Sequence, residues 1–186
     1  GGIDWSLDMI NAPEVWSGTG SFKGANGSGV TVAVIDTGVD LDHPEFKNRI
    51  VSGYDFVDDD NKADDFDGHG THVAGTIAGA RDGNGVTGVA YNSKIMPIRV
   101  LGDNGGSERD LIDGIYWAVN NGAEVINMSL GWDHGITTTR ALYESIKKAH
   151  DKGVVVVMAA GNDYASSPSY PAAYATNAGI AVGAID

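Results

Sequence analysis

The chain has 186 residues, a formal net charge of −13 at pH 7 and no cysteine. Its length suits one domain with one sizeable core, because domains commonly contain about 100–200 residues. The acidic charge argues against a nucleic-acid partner, since binding to phosphate requires clustered Lys and Arg. Without cysteine, neither a disulfide framework nor a thiolate metal site can form. No apolar run approaches the roughly 18 residues of a membrane span, so we expect no membrane partner.

The first predicted elements are a short helix over residues 8–16 and a buried strand over residues 30–35. The strand reads Val-Thr-Val-Ala-Val-Ile, a nearly continuous apolar run typical of a parallel strand covered on both faces. Asp36 ends this strand, and ligands of open parallel sheets bind beyond the carboxyl ends of strands. Asp36 is therefore either part of a functional site or an ordinary turn residue.

An acidic stretch follows, with seven aspartates between residues 55 and 67. Like charges at this density repel one another unless a cation neutralises them or water solvates them fully. A cation site and a solvated loop are both open alternatives at this point.

A histidine between two glycines, His69, opens the next predicted helix. Residues 68–79 read Gly-His-Gly-Thr-His-Val-Ala-Gly-Thr-Ile-Ala-Gly, and the small and β-branched residues indicate a helix that packs closely against its neighbours. The flanking glycines allow the backbone to approach a ligand. A lone histidine at a helix entry is also commonly a structural group, so other residues must decide between the two interpretations.

The rest of the chain alternates predicted strands and helices. Strands are predicted over residues 94–100, 124–128, 154–159 and 180–185. One helix is predicted from a Ser107 cap through Val119, and another over residues 137–152. This alternation indicates an α/β fold with a doubly wound, mostly parallel sheet and helices on both faces. The glycine pattern over residues 83–88 matches a dinucleotide loop, but it follows a helix instead of a strand, which excludes that site.

Four motifs stand at the ends of predicted elements, on one side of this sheet: Asp36-Thr37-Gly38, residues 68–79, Ser129-Leu130-Gly131 and Ala159-Ala160-Gly161-Asn162. In order and spacing they resemble the motifs of the subtilisin-like serine proteases over nearly the whole chain. The resemblance implies a single peptidase domain over residues 1–186. The family's Gly-Thr-Ser-x-Ala block, which supplies the nucleophile, lies beyond residue 186. We therefore expect the domain to be incomplete at its C-terminus and to be completed by the missing segment.

The resemblance implies a role for each matching residue. His69 is expected to act as general base and acid, Asp36 to fix its tautomer, and Asn162 to donate its amide to the oxyanion. The expected partner is a peptide or protein substrate, which would pair with extended edges of the chain. Those edges and the small walls of a specificity pocket are expected at Gly105, Gly106, Ser129, Leu130, Gly131, Ala159, Ala160 and Gly161.

The resemblance also implies structural Ca²⁺, for which oxygen-only ligands are suitable. One ion is expected at Glu45, Asp82 and the carbonyls of Ala80, Asn84 and Val86. Glu45 stands where the family usually has Asp, so its longer side chain must reach the ion with a different geometry. A second ion is expected at Asp58, Asp60, Asp65 and Asp67.

The remaining histidines receive structural interpretations. Zinc at His69 and His72 is not expected, because Gly70 replaces the Glu of His-Glu-x-x-His. We expect His72 to pack within the helix. Surface positions are expected for His43, His134 and His150.

The leading hypothesis is a serine endopeptidase of which this chain carries the Asp and the His, and which is inactive without its serine. The alternative is a non-catalytic, calcium-stabilised module that binds peptides along the same edges. The intact set of Asp36, His69 and Asn162 favours the peptidase, because a binding module has no chemical need for it. The resemblance favours an extracellular location and leaves an intracellular one open.

Overall fold

The structure is a computed structural model that describes residues 28–80, 90–128, 139–159 and 180–182. Helices separate most of its described sheet strands along the chain. The described elements are β1 (Thr31–Asp36), a 3-10 helix (Pro44–Phe46), β2 (Tyr54–Asp55), α1 (His69–Ala78), β3 (Lys94–Arg99), β4 (Leu101–Gly102), β5 (Gly105–Gly106), α2 (Glu108–Asn120), β6 (Val125–Met128), α3 (Arg140–Asp151), β7 (Val155–Ala159) and β8 (Ile180–Val182).

Six of the described strands form one parallel sheet in the order β2-β3-β1-β6-β7-β8. Strand β1 is interior, paired with β3 on one side and β6 on the other. The register places Asp36 opposite Arg99, so both side chains stand at the carboxyl edge of the sheet. Strands β4 and β5 form a separate antiparallel pair next to that edge.

Helices cover both faces of the sheet, as the sequence predicts. Because successive strand residues point to opposite faces, Ala33 and Ile35 join the core beneath α2 and α3. Val32 and Val34 join the opposite core, to which α1 contributes Ala74 and Ala78. The expected doubly wound α/β fold with a mostly parallel sheet is therefore confirmed.

Local sequence signals explain where the described helices begin and end. The Ser107 side chain accepts a hydrogen bond of 3.1 Å from the Asp110 N–H, so the predicted cap of α2 is present. Helix α3 begins after a Thr139 cap, later than the predicted residue 137, because the Thr139 hydroxyl accepts from the Leu142 N–H. Gly153 follows α3 with φ of +81°, a conformation that glycine adopts without strain.

The strand predictions agree closely with the structure. The first strand covers residues 31–36 instead of 30–35, and the predicted strand over residues 94–100 ends at Arg99. Strand β2 and the β4–β5 pair were not predicted. The helix predicted over residues 8–16 lies outside the described residues, as do residues 183–185 of the last predicted strand. Among the helices described, none is both long enough and apolar enough to cross a membrane.

Candidate active site

Asp36 ends β1 as a fully buried carboxylate. Its Oδ1 accepts a hydrogen bond of 2.7 Å from the backbone N–H of Thr37. Within the described part of the chain its Oδ2 has no hydrogen-bond partner. A buried polar atom without a partner costs about 1–3 kcal/mol, and such atoms call for an explanation such as a catalytic role.

His69 is the first residue of α1, and the helix that carries it lies directly against the loop after β1. A Cβ atom on Gly70 would lie 2.0 Å from the Gly38 carbonyl oxygen, so only glycine permits this approach. The sequence predicted that the glycines beside His69 allow close approach to a ligand. For Gly70 the close neighbour is the chain's own backbone, which brings the imidazole to Asp36.

The two side chains form a hydrogen-bonded pair. His69 Nδ1 lies 2.7 Å from Asp36 Oδ1, and the side chains are 52% and 0% exposed, respectively. Burial raises the pKa of Asp36 above its ordinary value, although the hydrogen bond and charge of His69 and the Thr37 N–H oppose the rise. The pair therefore combines a shielded carboxylate with an imidazole that a ligand can reach.

The acidic loop forms hydrogen bonds and ion pairs instead of a cluster of carboxylates. Asp55 and Asp58 each accept a hydrogen bond of 2.9 Å from Nη1 of Arg99. Asp60 caps a turn by accepting from the Lys62 N–H. Asp67 accepts from the backbone N–H of His69.

Asp65 is the most internally bonded of the predicted calcium ligands in this loop, with bonds to Thr37, Asp67, Gly68 and Thr71. Partial burial alone would raise the pKa of Asp65, but the hydrogen bonds from Gly68, Thr71 and Asp67 outweigh it, so the pKa lies below its ordinary value. No three His, Cys, Asp or Glu side chains of the described residues are grouped to hold a metal ion. The structure thus does not bring the four residues of the expected second calcium site together, namely Asp58, Asp60, Asp65 and Asp67.

Glu45, expected at the first calcium site, lies next to the start of the predicted ligand loop. Its Oε2 accepts a hydrogen bond of 2.8 Å from the Ala80 N–H. The other expected ligands of this ion, Asp82, Asn84 and Val86, lie outside the described residues.

The expected substrate edges are described only in part. Gly105 and Gly106 form the exposed strand β5, which pairs with β4 through Leu101 and Gly102. Ala159 is the last residue of β7. The remaining predicted residues of the edges and the oxyanion site lie outside the described residues, namely Ser129, Leu130, Gly131, Ala160, Gly161 and Asn162.

A cavity of about 220 Å³ lies beside Thr37 and Asp67, which are close in the chain to Asp36 and His69, and the sequence did not predict it. It is lined by Thr37, Phe66, Asp67, Arg99, Leu101, Gly102 and Asp103. The Arg99 guanidinium lies 5.4 Å from the centroid of the Phe66 ring, whose residue is 75% exposed. No local sequence pattern predicts this cavity, because its lining residues come from the end of β3 and from the loop before α1, which are distant in the chain.

Two predictions about the other histidines need correction. His72 is exposed instead of packed, because the buried side of α1 is formed by Gly70, Ala74 and Ala78. His43 is half-buried, and its Nδ1 accepts a hydrogen bond of 3.2 Å from the Glu45 N–H at the start of the 3-10 helix. His150 is exposed as expected, and His134 lies outside the described residues.

The fold and the site together define a class. This is an α/β protein with a parallel sheet, at whose carboxyl edge a buried carboxylate holds an accessible histidine, the arrangement that hydrolases use to move protons. The chain belongs to the subtilase family, whose sequence model matches residues 27–186.

Curated relatives support this membership. The chain is 43% identical over 194 residues to the intracellular serine protease of Paenibacillus polymyxa, covering 99% of this chain and 56% of the relative. It is 42% identical to the major intracellular serine protease of Bacillus subtilis (strain 168), and the match covers 96% of this chain and 56% of the relative. It is 41% identical to subtilisin Savinase of Lederbergia lenta, and the match covers 99% of this chain and 64% of the relative. The chain thus spans about half to two thirds of the length of these relatives.

Proposed function

We propose that this chain supplies the Asp and His of a subtilisin-like serine endopeptidase. The observation that carries the proposal is the 2.7 Å contact between His69 Nδ1 and the buried Asp36 Oδ1. An ionised Asp36 accepts the Nδ1–H, which leaves Nε2 of His69 as the proton acceptor. The exposure of the imidazole supports this role, because a catalytic base must reach the proton that it removes.

In the proposed mechanism, His69 takes the proton of a serine hydroxyl as its oxygen attacks the peptide carbonyl, and then gives that proton to the leaving amine. Asp36 stabilises the imidazolium formed in between. We assign the serine to the part of the domain that this chain does not include. Asn162 is proposed to donate its side-chain amide to the oxyanion of the tetrahedral intermediate.

The proposed substrate is a peptide or protein that pairs as an extended strand with the chain. The exposed strand β5, with Gly105 and Gly106, supports one such edge because exposed glycines leave backbone groups open to a partner strand. Ser129, Leu130 and Gly131 are proposed as the second edge, and Ala159, Ala160 and Gly161 as the walls of the specificity pocket.

A structural Ca²⁺ is part of the proposal, confined to the site of Glu45 and Asp82. The donor chemistry fits, because carboxylate and carbonyl oxygens are the ligands that Ca²⁺ prefers. The Glu45 hydrogen bond to the Ala80 N–H supports it by holding this carboxylate at the entry to residues 81–89. Bound there, the ion would join that loop to the 3-10 helix.

The test uses the protein expressed from its complete reading frame. We expect hydrolysis of a chromogenic peptide that a serine-directed phosphonate abolishes. His69→Ala should lower kcat by about 10⁶-fold, the loss measured on removing this residue type in subtilisin, a member of the family. A protein that binds peptides without cleaving them would instead support the non-catalytic module.

Asn162 provides a second, independent test. Asn162→Ala should lower kcat by about 10²–10³-fold with KM nearly unchanged, which is the effect of removing an oxyanion donor in subtilisin. If Asn162 only stabilises a turn, the same change should lower the melting temperature and weaken peptide binding together. The cellular location is open, since two of the relatives are named intracellular proteases while the family resemblance favours an extracellular one.

A further inference from the structure

The carboxylate of Asp65 lies at the centre of a hydrogen-bond network next to the proposed catalytic pair. Its Oδ1 accepts from Thr37 Oγ1 at 2.9 Å, from the Asp67 N–H at 3.0 Å and from the Gly68 N–H at 2.9 Å. Its Oδ2 accepts from the Thr71 N–H at 2.9 Å and from Thr71 Oγ1 at 2.6 Å. One side chain therefore receives five hydrogen bonds.

These bonds connect the two elements that carry Asp36 and His69. Thr37 directly follows Asp36, and Gly68 and Thr71 flank His69 in the first turn of α1. Two further bonds cross the same junction. The Gly70 N–H donates to Thr37 Oγ1 at 2.9 Å. The Asp40 N–H donates to Thr71 Oγ1, also at 2.9 Å.

The start of α1 requires such a partner. The first N–H groups of a helix have no acceptor within the helix, and a side chain at the N-cap usually supplies one. Here the N-cap is Gly68, which has no side chain to do so. Asp65 accepts from N–H groups at this end in its place, and its negative charge also suits the helix N-terminus.

We propose that Asp65 is a positioning residue that holds the imidazole of His69 at the correct distance and angle from Asp36. This inference rests on the proposed peptidase function. Asp65 joins the loop after β1 to the helix start, so its loss lets the two elements separate or rotate. A misplacement of about 1 Å in an active site can lower the rate by about 10²-fold.

The same geometry argues against Asp65 as a cation ligand. A carboxylate offers about four lone-pair sites, and Asp65 already accepts five hydrogen bonds. A cation would have to displace several of these donors. The acceptor capacity of Asp65 is thus used within the protein.

Asp65→Asn in the full-length protein is the first test. The amide keeps the size of the side chain and one oxygen, but its NH₂ group cannot accept hydrogen bonds. We expect kcat per folded molecule to fall by about 10²-fold with KM nearly unchanged. Asp59→Asn is the matched control: it removes one charge from the same loop, and asparagine tolerates its φ of +56°. The control should keep the wild-type kcat.

A second pair of variants covers the case in which Asp65→Asn fails to fold. Thr71→Val removes the hydroxyl that bonds to Asp65 and Asp40, whereas Thr71→Ser keeps it. We expect Thr71→Val to lower kcat and Thr71→Ser to restore most of it. The Nδ1–H resonance of His69 in the proton NMR spectrum should shift in Thr71→Val and Asp65→Asn, and should not shift in Thr71→Ser or Asp59→Asn.

The outcomes separate this inference from the proposed function. Reduced kcat and a shifted His69 resonance, with KM maintained, support positioning by Asp65. Wild-type kcat and an unshifted resonance in both Asp65→Asn and Thr71→Val, while His69→Ala is inactive, would overturn the inference and leave the peptidase intact. An active His69→Ala variant would overturn the peptidase function itself.

Discussion

The side chain of His69 is 52% exposed, whereas that of Asp36, which contacts it at 2.7 Å, is completely buried. Folding thus removes a carboxylate from water while the imidazole that contacts it stays partly in solvent. Burial raises the pKa of Asp36, and His69 counters the rise only in part. The protein therefore holds this carboxylate at a cost in stability, as is common at functional sites.

The first prediction concerns the pH dependence of stability. Because the folded-state pKa of Asp36 lies above the ordinary value of 3.8, the folded state binds this proton more tightly than the unfolded state does. The stabilisation from this proton is complete below pH 3.8 and is lost as the pH rises through the folded-state pKa. The wild type should therefore lose stability as the pH rises from 3.8 through the folded-state pKa, whereas Asp36→Asn, which lacks this proton, should not. The free energy of unfolding of Asp36→Asn minus that of the wild type should increase over this pH range. Urea melts of both proteins across this pH range measure the difference.

A constant difference between the two proteins at every pH would contradict this prediction. Asp42→Asn, which removes an exposed carboxylate from the loop after β1, serves as the control and should show no such trend.

The second prediction compares two partners of one arginine. Asp55 and Asp58 both bind Nη1 of Arg99 at 2.9 Å, but their side chains are 1% and 60% exposed, respectively. Water screens the exposed pair, so Asp58→Asn should cost about 0–1 kcal/mol. Asp55→Asn should cost about 1.5–3 kcal/mol, the range for a buried hydrogen bond to a charged group. Equal losses in denaturant melts would show that burial does not govern these pairs.

The third prediction uses two glycines of α1. A Cβ on Gly70 would lie 2.0 Å from the Gly38 carbonyl oxygen, whereas a Cβ on Gly75 would meet nothing within 4 Å. Gly70→Ala should therefore destabilise the protein by about 1–3 kcal/mol through steric overlap with backbone. Gly75→Ala should stabilise it by about 0.5–1 kcal/mol, since alanine favours a helix over glycine. Thermal melts that rank the two variants in the opposite order would refute the close contact.

The sequence predicted the features that depend on local patterns. The buried strand that ends in Asp36, the helix that begins at His69 and the Ser107 cap all depend on hydrophobic periodicity or on groups a few residues apart. That Asp36 and His69 form one site was predicted from two sources: the rule that ligands bind at the carboxyl ends of parallel strands, and the family resemblance.

The features that the sequence did not predict depend on partners distant in the chain. The bond between Asp65 and Thr37 joins residues 28 positions apart, and that between Arg99 and Asp55 joins residues 44 apart. A run of aspartates looks like a cation site when only its charge is considered. Once the chain folds, nearby backbone N–H groups occupy part of its acceptor capacity, and Arg99 and Thr37, which are distant in the chain, occupy more.

The fourth prediction concerns calcium at Glu45. A ligand that binds only the folded state stabilises it by RT ln(1 + [L]/Kd), about 2.7 kcal/mol at a hundredfold excess over Kd. The melting temperature of the full-length protein should therefore rise with calcium and fall with a chelator. Glu45→Gln should reduce the calcium-dependent part of the rise, while Lys47→Gln, an exposed position after the same 3-10 helix, should leave it unchanged. A melting temperature that is the same in calcium and in chelator would rule out the ion.

The most direct test of the central claim, that Asp36 and His69 act together in peptide hydrolysis, is the kcat of Asp36→Asn in the protein expressed from its complete reading frame. Asparagine keeps the size of the side chain and an oxygen that can accept from Thr37, but it carries no charge to stabilise an imidazolium. The account predicts a fall in kcat of about 10⁴-fold, the size of loss known for the same change in serine proteases, with KM maintained and Asp42→Asn at the wild-type level. A folded Asp36→Asn variant that hydrolyses the peptide with the wild-type kcat would contradict it.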